Sequence, residues 1–214
     1  MQKYKGIIFD IDGTLTSTFE LIFASFNHVM NKYLSKTFSN EEIISFFGPT
    51  EDQILEELCG ENSEKAKTDY YNFYSDNHYM AELYPGIKEL LKYIKSRKVY
   101  LSIYTGKGRK TAAITLKKLE ILDLFDLMIT GDEVKEHKPS PEGIELFINK
   151  FKIPKEKALM IGDAPSDIKA ARAAGIEVAS VLWDSYSKEQ VIKLKSDYIF
   201  NSVSELSEFI RKSI

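Results

Sequence analysis

One cysteine in 214 residues leaves no partner for an intrachain disulfide, and Cys59, at the end of a helical pattern just before Gly60, reads as packing. No run of about 18 apolar residues occurs, and Asp10 interrupts the first apolar strand. Neither a membrane span nor a leader is therefore expected, and the protein is expected to be cytoplasmic. Neither sign of charge dominates: 29 basic against 32 acidic residues, intermixed, leave a net charge of -3 and no basic stripe for nucleic acid. The three histidines, His28, His78 and His137, are scattered, which suits surface or partly packed roles; only His28 is placed to reach a crevice from a helix. No internal repeat or low-complexity segment is present. These absences leave a chain long enough for one large domain, or one domain carrying an insertion, with a small charged metabolite as its partner.

The most informative stretch that is present is Gly6-Ile7-Ile8-Phe9-Asp10-Ile11-Asp12-Gly13-Thr14-Leu15. A short apolar strand can be explained by packing, but packing gives no reason to end it with two carboxylates spaced two apart. Strand alternation puts Asp10 and Asp12 on the same side. Two acids so close repel unless a cation sits between them or one keeps a proton, and either condition suits nucleophilic or acid/base chemistry on an anionic substrate.

From about Tyr84 onward strand and helix patterns alternate, the signature of a parallel sheet with crossover helices. Strands are expected at 99–104, 127–130, 159–161, 178–182 and 198–200. Helices are expected to start near Ile87 and at Ser140-Pro141-Glu142, with an alanine-rich helix after Asp167 stopped by Gly175. Between Thr16 and Leu83 strand signals vanish. Ile22, Phe26, Val29, Met30 and Tyr33 form one apolar stripe, and Ser39-Asn40-Glu41-Glu42 and Thr50-Glu51-Asp52-Gln53 both have capping-box form. The expected organisation is thus an α/β core at 1–15 and 84–214 with a helical-bundle insertion at 16–83. Tyr70, Tyr71, Phe73 and Tyr74 read as bundle core rather than as a substrate wall.

Four segments fall at the carboxyl ends of the expected strands: Asp10/Asp12, Thr105-Gly106, the loop to Lys138, and Gly162-Asp163-Ala164-Pro165-Ser166-Asp167. Open parallel sheets bind ligands at those ends. With these four motifs in order along essentially its whole length, the chain resembles the phosphohydrolases of the haloacid dehalogenase-like superfamily. The resemblance implies a Rossmann-like core and a mobile helical cap. It implies Asp10 as the nucleophile that forms an aspartyl-phosphate, Asp12 as general acid and base, and Thr105 and Gly106 as phosphate-binding groups. It also implies Lys138 as the cation that screens nucleophile from phosphate, and magnesium held by Asp10, the backbone carbonyl of Asp12, and Asp163, with Asp167 behind as a ligand or an orienting acid.

The acid at Asp12 sets the chain apart from true haloalkanoate dehalogenases, which lack it. Tyr84-Pro85-Gly86, Thr105-Gly106-Lys107 and Lys138-Pro139-Ser140-Pro141 are most similar to the phosphoglycolate phosphatase-like group, which includes pyrophosphatases and nucleotidases, although its second motif more often reads Thr-Asn-Lys. The resemblance implies a phosphatase of a small phosphorylated metabolite, a monomer or homodimer, with a β-phosphoglucomutase-like mutase or a pyrophosphatase as the alternatives. Lys107, Arg109 and Lys110 either add positive potential or form a solvated helix start. The break at Gly48-Pro49 makes Thr50 and Glu51 the expected substrate-reading loop of the cap.

Overall fold

The chain, described here over residues 2–214 from a computed structural model, is built around the strand β1 (Gly6–Phe9), all four of whose residues are buried. A strand apolar on both faces must be covered on both, and this one lies in the middle of a six-stranded parallel sheet. The other members are β4 (Tyr100–Tyr104), β5 (Leu127–Ile129), β6 (Ala158–Gly162), β7 (Glu177–Val181) and β8 (Tyr198–Phe200), in the order β5-β4-β1-β6-β7-β8. Register is continuous across the centre, with Phe9 opposite Ile103 on one side and Ile161 on the other.

Period-two alternation divides the core into two layers. Ile7 and Phe9 pack with helices α5 (Ile87–Ser96), α6 (Arg109–Lys118) and α10 (Val203–Ser213), while Ile8 packs with α7 (Glu142–Phe151), α8 (Pro165–Ala174) and α9 (Lys188–Leu194). From β1 the chain fills one side of the sheet with β4 and β5, then returns to fill the other with β6, β7 and β8. The carboxyl ends of β1, β4 and β6 consequently border one crevice at the switch in direction.

Four α-helices lie between β1 and α5: α1 (Phe19–Leu34), α2 (Asn40–Ser45), α3 (Glu51–Cys59) and α4 (Ser63–Asp76). They have a hydrophobic cluster of their own, centred on Phe26, Met30, Leu55, Tyr70 and Tyr74. Both capping boxes form, Ser39 with Glu42 and Thr50 with Gln53. Of the aromatic run, Tyr70, Tyr71 and Tyr74 are buried in this cluster, as a bundle-core role requires. His28 stacks on Phe73 at 4.4 Å instead of facing the crevice.

Two features depart from expectation. The ends of the insertion pair as a short antiparallel ladder, β2 (Thr16–Ser17) with β3 (Glu82–Leu83), Thr16 facing Leu83. Two-residue strands have no periodicity to be read. Helix α8 starts at Pro165, before Asp167, because the Asp167 carboxylate reaches back 3.0 Å to accept from the Ala164 N–H and closes the first turn. No helix among the described residues is long and apolar enough to cross a membrane.

Candidate active site

Asp10 follows β1 directly, its N–H donating to Ile161 O at 3.0 Å, so the sheet itself fixes where the carboxylate emerges. The tight turn at Gly13, at φ +75°, brings the chain beside Asp163: a Cβ there would lie 2.5 Å from Asp163 Oδ2. Gly162 makes the same kind of room for Asp167, whose Oδ2 would be 2.2 Å from its Cβ. These two glycines allow acids to approach backbone more closely than any other residue would.

Asp10, Asp163 and Asp167 each bring one carboxylate oxygen within 4.8 Å of the others, and all three are buried. Lys138, from the loop after β5, is the cation among them. Its Nζ donates to Asp167 Oδ1 at 2.7 Å and to Tyr104 O at 3.3 Å, and lies 3.2 Å from Asp10 Oδ1. Burial pulls this lysine's pKa down, but Asp10 and Asp167 outweigh burial and hold it raised and charged. Asp163 accepts from the Thr14 hydroxyl at 3.0 Å, and Ser185 Oγ donates 2.6 Å to its backbone carbonyl.

One lysine does not balance three buried acids. Burial, reinforced by Asp167 and Asp12 and opposed by Lys138, pushes Asp10 up to about 6. Burial together with Asp10 and Asp167 pushes Asp163 well above the carboxylate range. Asp10 Oδ1 is buried without a hydrogen bond. Since both oxygens of Asp167 are engaged, by Lys138 and by the Ala164 N–H, the oxygens free for a ligand belong to Asp10 and Asp163. An all-oxygen donor set with unbalanced negative charge fits a small hard cation such as magnesium.

Asp12 opens on the same cavity as Asp10, accepting from the Thr18 hydroxyl and lying 3.1 Å from Lys107 Nζ. The sequence leaves Lys107 as either a solvated helix start or added positive potential; in the structure its side chain is 2% exposed. Burial lowers its pKa, but Asp12, Tyr74 and Glu51 outweigh burial and keep it raised. The available signal was its place immediately after Thr105-Gly106 at a strand end. Arg109, by contrast, pairs with Glu133 at 2.6 Å, and Lys110 lies 3.8 Å over the Tyr71 ring.

Thr105 and Gly106 line the cavity at the end of β4. Thr105 Oγ1 accepts from the Lys107 N–H at 3.3 Å, which leaves its own O–H to donate. Glu51 also lines the cavity, yet both of its oxygens are held by the core, Oε2 by the Gly108 N–H at 2.7 Å and Oε1 by Thr111 Oγ1 at 2.6 Å. Thr50 is buried as the cap of α3 and is not among the cavity's lining residues, whereas Gly48 and Pro49 are. The cavity encloses about 370 Å³.

Asp10, Asp12, Asp163 and Lys138 line one cavity at the carboxyl edge of a parallel sheet. The chain belongs to the haloacid dehalogenase-like hydrolases, whose family model it matches over residues 7–181. It is 31% identical to the pyrophosphatase PpaX of Bacillus cereus, with 95% of each chain covered. It is similar to a Haemophilus somnus crystal structure described as a predicted phosphoglycolate phosphatase, with TM-score 0.87, 25% identity, and 98% and 99% of the two chains covered. It shares its fold with CbbY of Rhodobacter sphaeroides, solved in complex with phosphate, at TM-score 0.82 and 22% identity over 95% and 96% of the two chains.

Proposed function

We propose that this protein is a magnesium-dependent phosphatase that hydrolyses a small phosphorylated metabolite through an aspartyl-phosphate on Asp10. The observation that carries the reading is Asp10 itself, an unbonded carboxylate oxygen 3.2 Å from Lys138, facing a cavity it shares with Asp12. An oxygen of Asp10 attacks phosphorus as the bond to the leaving oxygen breaks, and Asp12 supplies the proton that oxygen needs. Asp12 then removes a proton from water as the water opens the acyl phosphate, regenerating Asp10 and releasing phosphate. The Thr105 hydroxyl and the Gly106 N–H hold the transferring oxygens, and Lys138 screens their charge from Asp10.

Asp10, the backbone carbonyl of Asp12 and Asp163 would hold magnesium, which when bound neutralises phosphoryl charge. Asp167 keeps Lys138 in place. Residues 16–83 act as the cap: helix α3 meets the core through Glu51, and α4 through Tyr74, whose hydroxyl lies 2.7 Å from Thr115 Oγ1. A cavity of about 370 Å³ suits a small molecule, not nucleic acid or a membrane, and the enzyme is taken as a cytoplasmic monomer or homodimer.

The test is phosphate release with magnesium across sugar phosphates, phosphoglycolate, nucleotides and pyrophosphate. The reading requires magnesium-dependent release that Asp10→Asn abolishes. Bisphosphate-dependent isomerisation of a sugar phosphate in place of release would assign a mutase instead.

A further inference from the structure

Resting on that phosphatase reading, we propose that the leaving group is uncharged and carries an apolar face, and that it is neither a second phosphate nor a carboxylate. The cavity lining is of two kinds. One is the catalytic group described above. The other is apolar: Phe19, Ile22 and Phe26 of α1, Phe47 of the α2–α3 loop, Ile54 of α3, and Tyr186 of the loop after β7. The aromatic members meet across the seam between cap and core: Phe19 packs edge-on against Tyr186 at 4.4 Å and stacks on Phe47 at 6.4 Å.

Charge points the same way. Among the described residues, the cations lining this cavity are Lys107 and Lys138, and both are already matched, Lys107 by Asp12 and Glu51 and Lys138 by Asp10 and Asp167. Four carboxylates, Asp10, Asp12, Glu51 and Asp163, face the same space. A leaving group with its own anion would enter a chamber that offers it an aromatic wall, these four acids and no unmatched cation. Burying such a charge unpaired is strongly unfavourable, whereas burying hydrocarbon there is favourable. Phe47 and Tyr186 are 41% and 48% exposed as they stand, so the mouth still has apolar surface for a ligand to cover.

The experiment compares kcat/KM, with magnesium, for n-alkyl phosphates from ethyl to hexyl, for phosphoglycolate and for pyrophosphate. The alkyl series keeps leaving-group reactivity nearly constant, so its slope reads burial. Expected is a rise of about threefold to fourfold per methylene until the chamber is full, the ratio of burying one CH2. Phosphoglycolate and pyrophosphate should fall at least tenfold below butyl phosphate. Phe47→Lys, at a position exposed enough to tolerate it, should flatten the alkyl slope and raise phosphoglycolate relative to hexyl phosphate. A flat series with pyrophosphate or phosphoglycolate preferred would overturn the leaving-group assignment and leave the phosphatase reading intact. A steep series untouched by Phe47→Lys would overturn the chamber as its cause. Absence of magnesium-dependent release from every compound would overturn both readings together.

Discussion

Lys107 Nζ lies 3.1 Å from Asp12 Oδ2 and 3.6 Å from Glu51 Oε1, so one buried cation joins Asp12 of the core to the first residue of α3. The same Glu51 accepts from Gly108 and Thr111 at the start of α6. Asp12 is thereby held by a group whose other partner belongs to the helical insertion, which on the proposed cap role ties the placement of Asp12 to the cap.

Lys107→Met should therefore cost more than a surface lysine. It leaves Asp12 and Glu51 without their buried counterion, and breaking such a pair costs about 3–5 kcal/mol. A double-mutant cycle with Asp12→Asn, read in kcat/KM, should show coupling of about 0.5–3 kcal/mol, as for groups in one network. Additive losses would mean that Lys107 only supports the fold.

Asp10→Asn should stabilise the metal-free protein while ending turnover. The sign follows from burial: Asp10's folded pKa is raised to about 6 from 3.8. A raised pKa means the proton is held more tightly in the folded state, so this group's contribution is fully present below its unfolded pKa and is lost as pH rises through about 6. The stability difference between Asp10→Asn and the parent should accordingly widen between about pH 4 and 7, each kcal/mol appearing as about 2–4 °C in Tm. Thermal melts in chelator across that range measure it. A difference independent of pH would contradict the assignment of charge strain to Asp10.

Magnesium should reverse that strain. Because Asp10 and Asp163 are both pushed up by burial in the metal-free protein, binding must displace protons, and affinity should weaken as pH falls below about 6. Titration calorimetry in buffers of different ionisation enthalpy reads the proton release directly. Chelator should stop turnover, and calcium should replace magnesium poorly, since its larger and looser shell misplaces the reacting oxygens. Full turnover in excess chelator would remove the metal from the reaction.

Thr50 and Glu51 should separate. Thr50 caps α3, with Gln53 closing the box, so Thr50→Ala should lower stability by about 1 kcal/mol and leave the ranking of substrates alone. Glu51→Gln puts an amide donor where two oxygens accept, costing about 1–3 kcal/mol of cap–core contact, and should raise KM and alter substrate ranking. Hydrogen exchange at Gly108 and α6 checks whether the contact has loosened.

The parts of this site that could be read in the sequence are those whose residue types conflict with packing. Asp10, Asp12 and Asp163 interrupt buried segments, and the structure brings these three to one crevice, with Asp167 buried behind Lys138. The sheet was legible because β1 and β6 are continuous apolar runs between turn residues and β4 is broken only by Ser102. Lys107 was not, because a lysine after a glycine turn looks solvated until the cap is known to cover it. Glu51 reads as a loop residue for the same reason: its partners Gly108 and Thr111 lie far along the chain, and a contact between the insertion and the core leaves no periodic trace. The ladder of Thr16 with Leu83 was hidden by its length.

The most direct test of the account is to find the phosphoryl group. With a substrate such as p-nitrophenyl phosphate, whose leaving group needs no proton, Asp12→Asn slows only the opening of the acyl phosphate, and rapid acid quench of a magnesium-containing turnover mixture, followed by proteolysis and mass spectrometry, should recover a hydroxylamine-sensitive phosphoryl group on the peptide containing Asp10. Phosphate released over several turnovers with that peptide unlabelled, and with Asp10→Asn still active, would contradict it.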